Sequence, residues 1–231
     1  MKKNVLFIII VVLNIILLTL IISILLQYNV IPQKIFYAED FGIESVKSDV
    51  DFNENGVDDY TDIMLGARID AENKPKYNGA YYQGGYPPEN IGVCTDLIWR
   101  AFKNAGYSLK DMVDKDVLAR PKAYTRIEKP DTNIDFRRVG NLRVFFEEHA
   151  ISLTLDINKI EEFQAGDIVI FGQDDHIGIV SDKRNKKGMP YIIHNGAQLN
   201  REEDYFKRVL PSGHYRFDAS LVGKEMLEKW D

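Results

Sequence analysis

The sequence predicts an α+β protein in which N-terminal helices pack on a C-terminal antiparallel β-sheet, preceded by one transmembrane helix. Three observations support this prediction. The chain begins with a long uncharged apolar run, the segments that follow carry apolar residues at helical spacing, and the runs beyond residue 160 are short, β-rich and separated by turn signals. Helices therefore come first, and a meander of strands follows them.

The apolar run extends from Val5 to Leu26 without a charged residue. At 1.5 Å per residue it spans about 33 Å, which is enough to cross a hydrocarbon core of about 30 Å. Because a cleavable signal peptide has a shorter apolar core and a small-residue cleavage site, we interpret the run as an uncleaved anchor. Lys2 and Lys3 precede it, which predicts a cytoplasmic N terminus and an extracytoplasmic remainder in the cell membrane.

The chain accordingly divides into a membrane anchor or uncleaved signal at residues 1–27, a linker at 28–48 and a single extracytoplasmic domain at 49–231. The formal charge is -6 and no basic block is present. This charge pattern argues against nucleic acid as a partner, because phosphate binding needs clustered Lys and Arg.

An acidic segment, DFNENGVDDYTD at residues 51–62, has the residue spacing of a calcium-binding loop. Oxygen-bearing side chains alternate along it and Gly56 stands at the sharp turn, as a hard cation requires. The alternative is an acidic turn that caps the following helix, since Asp and Asn favour turns and N-caps. Any calcium would be structural, and no cofactor is expected for catalysis. The candidate ligands are Asp51, Asn53, Asn55, Asp59 and Asp62.

The only cysteine, Cys94, lies at the start of a predicted helix in GVCTDLIWRAF, and Gly106 is expected to follow the end of that helix. A helix N terminus offers unpaired N–H groups and the positive end of the helix dipole, and both favour a thiolate. A single cysteine cannot form an internal disulfide in an exported domain. The alternative to catalysis is a buried cysteine that acts as a small hydrophobic residue.

A cysteine nucleophile needs a histidine to activate it, and the chain has four. His176 begins the predicted strand HIGIV, where alternation places His176, Gly178 and Val180 on one face. His194 ends YIIHNG, in a position from which it could fix the tautomer of another imidazole. Asn195 could serve the same purpose.

The other two histidines are interpreted differently. His149 lies at the end of a predicted helix that begins near Asn141, where a cation suits the helix dipole, so a structural role is favoured. His214, in GHYRF, is interpreted as a packing residue or as a partner of the site residues. Residues 108–136 are expected to be polar and irregular.

In combination, a cysteine at a helix N terminus followed by GDIVIFG, HIGIVSD and IIHNG resembles the NlpC-type cell-wall peptidases of the papain-like clan. The chain is still more similar to an uncharacterised exported domain-of-unknown-function family placed beside them, on the strength of GVCTD and NIDFRRVGNL. The similarity covers roughly residues 60–220. It implies a papain-like fold with Cys94 as nucleophile, His176 as base and His194 as the third polar residue.

The resemblance implies an extracytoplasmic cysteine hydrolase that cleaves amide bonds in peptidoglycan stem or cross-bridge peptides by acyl transfer. Two alternatives remain open: transfer of the acyl group to an amine or a lipid by the same residues, and a non-catalytic wall-binding module.

Candidate substrate contacts come from the aromatic loop at residues 78–92, from the start of the cysteine helix and from the insert at residues 130–141. They are Tyr82, Thr95, Asp96 and Arg137. Arg137, together with Asp135 and Arg138, could dock a peptide carboxylate. These residues could equally form an ion-pair network that pins the insert to the core, and this second interpretation is favoured.

Overall fold

A computed structural model describes residues 2–28, 30–31 and 33–230. The α-helices are α1 (Lys2–Gln27), α2 (Asp59–Asn73), α3 (Cys94–Asn104), α4 (Leu109–Ala119) and α5 (Val139–His149). The strands are β1 (Lys76–Tyr77), β2 (Ile91–Gly92), β3 (Ile151–Ser152), β4 (Ile168–Phe171), β5 (His176–Arg184), β6 (Pro190–Ile193), β7 (Glu202–Glu203) and β8 (Pro211–Arg216).

Six of the strands form one antiparallel sheet in the order β3-β8-β4-β5-β6-β7. Its apolar residues divide by the two-residue period of a strand. Ile168, Ile170 and Ile177 join the helices α2–α5 in the main buried core, whereas Val169 and Val180 join a second cluster on the opposite face. The predicted α+β architecture, with helices on a C-terminal antiparallel sheet, is confirmed.

The close approach of α2 and α3 fixes the cysteine helix against the rest of the domain. A Cβ on Gly66 of α2 would lie 2.5 Å from Cβ of Asn104 and 2.9 Å from Cα of Ala101, so only glycine allows this approach. Gly106 follows α3 with φ +88, a left-handed conformation that favours glycine, as predicted.

One helix was not expected from the sequence. The segment 108–136, predicted to be irregular, contains α4, whose Leu109, Met112, Val113 and Val117 are buried. These apolar positions have helical spacing, but five charged residues lie between them and mask the amphipathic pattern. The next helix, α5, begins at Val139 rather than near Asn141.

The N-terminal helix is long and apolar enough to cross a membrane, over Asn4–Gln27. The segment after it returns to the domain at Phe36, whose backbone forms a bridge with Arg184 at the end of β5. The N–H of Phe36 donates to the Arg184 carbonyl at 3.0 Å, and the N–H of Arg184 donates to the Phe36 carbonyl at 2.7 Å. A 3-10 turn at Ala38–Phe41 follows, with Ala38 buried.

The C-terminal segment closes over α3. The N–H of Trp230 donates to the carbonyl of Gly106 at 2.8 Å. The Trp230 indole stacks on Trp99 of α3, with ring centroids 5.9 Å apart and planes 10° from parallel. This contact fixes Trp230 against α3 at Trp99, five residues after Cys94.

Candidate functional site

Cys94 is the first residue of α3 and is 5% exposed. The backbone N–H groups of Ile177 and Thr95 face its sulfur and act to lower the pKa of the thiol. The first of these belongs to the peptide unit that joins His176 to Ile177 at the start of β5. The structure therefore places the thiol beside the backbone of Ile177, the residue that follows the predicted base.

The two predicted histidines are in direct contact. His176 Nε2 lies 2.7 Å from His194 Nδ1, and the rings meet edge to face with centroids 4.8 Å apart. His194 Nε2 in turn lies 3.1 Å from Oε1 of Glu203, a fully buried residue of β7. Arg208 donates to both Glu203 oxygens, at 2.5 and 2.8 Å.

This chain of contacts determines where the protons lie. An ionised carboxylate only accepts hydrogen bonds, so His194 donates its Nε2–H to Glu203 and its Nδ1 accepts from Nε2–H of His176. His176 Nδ1 then carries a lone pair, and it makes no hydrogen bond to any residue in the described part of the chain. A lone pair on Nδ1 is the form that a general base requires.

Burial raises the pKa of Glu203, but the hydrogen bonds from His194 and Arg208 outweigh this effect and the net pKa is lowered. Glu203 is therefore ionised at neutral pH. Glu203 and Arg208 were not predicted from the sequence. The stretch REEDYF carries three adjacent acids, and no periodicity indicates which of them faces a histidine.

The sulfur and the imidazole approach the start of β5 from different directions. Cys94 belongs to the main core with Ile177, whereas His176 lies opposite Phe171 of the second cluster across the β4–β5 pair. No hydrogen bond joins the thiol to the imidazole in the structure. Successive residues of β5 point to opposite faces, so Cys94 lies on the Ile177 face and His176 on the Phe171 face. The contact between thiol and imidazole that catalysis needs stays a prediction.

Burial also determines the charges of the pair. It raises the pKa of the Cys94 thiol to about 11, because the N–H groups of Ile177 and Thr95 offset only part of the desolvation. Burial and the neighbouring His194 lower the pKa of His176 to about 3. The expected preformed thiolate is therefore not found in the ligand-free structure, where both groups are neutral at pH 7. The rise in the thiol pKa caused by burial exceeds the fall caused by the helix N terminus.

The loop before Cys94 is tied to the histidine strand by Asn195. Its side-chain Nδ2 donates to the carbonyl of Gly92 at 3.0 Å, and Asn195 is fully buried. Asn195 therefore positions the cysteine loop, while the contact with His176 falls to His194.

The residues predicted to contact substrate lie beside the thiol but bond mainly to one another. Asp96 is fully buried and accepts from Arg137 Nε and Nη2, at 2.7 and 2.9 Å. It also accepts from the Trp99 indole N–H at 2.9 Å. Thr95 Oγ1 donates to the Arg137 carbonyl at 3.1 Å, and the ring of Tyr82 lies 5.5 Å from the Arg137 guanidinium.

The buried Asp96–Arg137 pair therefore joins the insert to the cysteine helix. Of the three residues predicted to form such a network, Arg137 makes this ion pair, whereas Asp135 accepts from the N–H of Asp131. Of the four candidate contacts, only Tyr82 is partly exposed and able to meet a ligand without breaking a buried bond. Substrate binding by these residues stays a prediction.

The candidate calcium loop is held by its own hydrogen bonds. Asp51 accepts from the N–H of Gly56 at 2.7 Å, and Asp62 Oδ2 accepts from the side-chain amides of Asn53 and Asn55 at 3.0 and 2.9 Å. Asp59 is turned inward, where Tyr107 donates its O–H to it at 2.5 Å. These contacts, and Asp58 as the N-cap of α2, correspond to the capping alternative.

Asn53 and Asn55 lie beside Asp62, so oxygen-bearing side chains remain near it, but Asp59 is bonded to Tyr107 instead. Among residues 2–28, 30–31 and 33–230, no group of three or more His, Cys, Asp or Glu side chains is arranged to hold a metal ion. Calcium binding stays a prediction.

The remaining histidines lie away from the site and bond to buried carboxylates. His149 Nε2 is 3.0 Å from Asp116, and His214 Nε2 is 3.0 Å from Asp167. Asp116 and Asp167 are both 1% exposed or less. Both histidines therefore have structural partners and neither meets Cys94.

The fold and the site define an α+β domain with a helix-terminal cysteine beside a His–His–Glu chain. The chain belongs to the DUF1287 family, described as "Domain of unknown function (DUF1287)", which matches residues 64–217. This confirms the predicted relation to an uncharacterised domain family. The matched range includes Cys94, His176, His194 and Glu203.

The chain is also similar to the uncharacterized protein YijF of Escherichia coli (strain K12). The two are 36% identical over 165 residues, which cover 67% of this chain and 80% of that protein. No solved structure matches the chain.

Proposed function

We propose that the protein is a membrane-anchored cysteine hydrolase of the NlpC-type, papain-like kind, which cleaves amide bonds in peptidoglycan peptides outside the cytoplasmic membrane. The proposal depends on one observation. The hydrogen-bonded chain His176–His194–Glu203 leaves Nδ1 of His176 free, and the N–H of the next residue, Ile177, faces the Cys94 sulfur. Lys2 and Lys3 before the anchor support the outward orientation.

Because the resting pair is neutral, His176 acts as a general base during the attack. Nδ1 takes the thiol proton while the sulfur bonds to the carbonyl carbon of the substrate. The backbone N–H of Cys94 at the helix terminus contributes to an oxyanion hole. The protonated His176 then gives its proton to the leaving amine, and a thioester forms on Cys94.

Water completes the reaction. His176 removes a proton from a water molecule as its oxygen attacks the thioester, and the thiol leaves with that proton. Throughout the cycle His194 holds the His176 ring, and the negative charge of Glu203 stabilises the imidazolium that forms transiently. The complete cycle returns the site to thiol and neutral imidazole.

The test is incubation of the full chain in detergent with muropeptides of defined stem chemistry, followed by mass spectrometry of the products. Native protein should release an amine and a carboxylic acid, and Cys94→Ala should release neither. A product joined to an added amine or lipid would indicate the acyl-transfer alternative. Cleavage of wall peptides by Cys94→Ala would overturn the assignment of Cys94 as the nucleophile.

A matched pair of histidine variants controls for folding. His176→Gln should lose turnover with little change in melting temperature. His149→Gln, remote from the site, should lower the melting temperature through its bond to Asp116 and keep turnover at 20 °C. Equal loss of turnover in both variants would contradict the assignment of His176.

A further inference from the structure

The end of the membrane helix contacts the residues that hold the histidine pair. Arg208 Nη1 donates to the carbonyl of Gln27, the last residue of α1, at 3.2 Å. The same guanidinium lies 4.6 Å from the ring centre of Tyr28. Arg208 is also the residue that binds both oxygens of Glu203, so one side chain joins the membrane exit to the site.

A second path runs through aromatic rings. The Arg208 guanidinium lies 4.9 Å from the ring centre of Tyr205, and the Tyr205 ring lies 4.3 Å from that of His194. Tyr28 therefore reaches His194 through three successive contacts, each shorter than 5 Å. The histidine pair faces the side of the sheet on which the anchor ends.

The connection to the domain is too short to let the site move far from the bilayer. Eight residues separate Gln27 from Phe36, which is fixed to β5 by its backbone bridge. Fully extended, such a segment reaches only about 30 Å. Its exposed apolar side chains, Tyr28, Val30 and Ile31, suit the boundary between lipid and water.

We propose that the Cys94–His176 site opens toward the membrane surface and takes peptides carried on membrane-embedded lipids, in preference to peptides free in solution. The inference rests on the proposed function for the reaction and on geometry for the substrate class. It does not depend on which side of the membrane the domain occupies, because the domain follows the helix on either side. The headgroup layer is about 5–7 Å deep on each side, within reach of a site whose supporting residues touch the helix end.

The orientation can be tested without turnover. Full-length protein of 26.6 kDa, verified by mass, is reconstituted in phosphatidylcholine–phosphatidylglycerol vesicles. It is alkylated either by soluble iodoacetamide or by iodoacetamide attached to a phospholipid headgroup. Three thiols are compared: native Cys94, Gln198→Cys beside His194, and Leu118→Cys on α4, the last two in a Cys94→Ser background. Leu118 is 73% exposed and lies in the helix layer, across the sheet from Tyr205.

The ratio of lipid-borne to soluble labelling should be at least about tenfold higher at Gln198→Cys than at Leu118→Cys, since tethering raises the local reagent concentration. Cys94 should follow Gln198→Cys. The Gln198→Cys ratio decides the question even where buried Cys94 reacts slowly with both reagents. Equal ratios at residues 198 and 118, or a higher ratio at 118, would overturn the orientation.

Turnover then tests the substrate class. One stem peptide is supplied at equal bulk concentration, free or coupled to a phospholipid headgroup, to the full chain in vesicles. The coupled form should be cleaved at least about tenfold faster. Faster cleavage of the free form would overturn the substrate class. Cleavage of neither form would count against the proposed function, and the labelling ratios would still decide which way the site faces.

Discussion

Replacing Asp96 with Asn should destabilise the domain strongly, because it leaves the Arg137 guanidinium buried without a counter-charge. The two side chains are 0% and 1% exposed, so solvent screens neither of them. Removing one partner of a buried ion pair costs about 3–5 kcal/mol. For a domain of this size each kcal/mol lowers the melting temperature by about 2–4 °C, which gives an expected loss of roughly 6–20 °C.

The assay is thermal unfolding of the full chain in detergent, followed by near-ultraviolet circular dichroism. Asp156→Asn is the matched control, because Asp156 is on the surface and its carboxylate accepts hydrogen bonds from the neighbouring Asn158. It should melt with the native protein. The double variant Asp96→Asn with Arg137→Met should lose less stability than the two single variants added together.

A loss below about 2 °C for Asp96→Asn would refute the reasoning, since it would mean that the Arg137 charge finds solvent or another partner. If the same variant kept its melting temperature and lost turnover, the pair would belong to substrate binding. The experiment therefore separates the two roles that the sequence left open.

Three further results are expected. Glu203→Gln should lower kcat by at least about tenfold and leave KM unchanged, because it weakens the hydrogen bond that orients His194. Glu202 bonds Arg68 and Lys183 instead, so Glu202→Gln should keep the native kcat. Equal kcat values in the two variants would contradict the assignment of the His194 tautomer. Asp116 is buried, which raises its pKa, but hydrogen bonds from its partners, His149 first, outweigh this and lower it. Its stabilisation is therefore complete only well above the unfolded pKa of about 3.9 and is lost as pH falls through and below that value. The melting temperature should drop between about pH 5 and pH 2, and Asp116→Asn should make that drop smaller; an unchanged drop would contradict this role of Asp116. Millimolar Ca²⁺ should raise the melting temperature of the native protein but not of Asp51→Ala, with reversal by a chelator; no shift in either would contradict the calcium prediction.

The strands of the sheet could be predicted because their residues carry a local signal. GDIVIFG and HIGIVSD alternate or run apolar between turn residues, and β4 and β5 lie within them. The helix α4 was missed because charged residues interrupt its apolar stripe. Charged residues between the apolar positions lower the apolar content of the segment and hide the fact that those positions share one buried face.

The chemistry of the site depends on contacts that the sequence does not encode locally. Glu203 meets His194 only because β7 folds back on β6, pairing Glu202 with Ile193. The raised pKa of Cys94 comes from its burial in the core. Its position at the start of a helix does not indicate how deeply it is buried. Residue types at element ends could therefore be predicted, but the charge states could not.

The stacked indoles of Trp99 and Trp230 give this protein an optical reporter that needs no label. They are its only two tryptophans, so its long-wavelength ultraviolet emission arises at one place, five residues along α3 from the thiol. A ligand that binds at the site and tilts α3 would change the tryptophan emission spectrum. Release of the C-terminal segment would change it as well. Ligands could be screened on unmodified protein in a plate-reading fluorimeter.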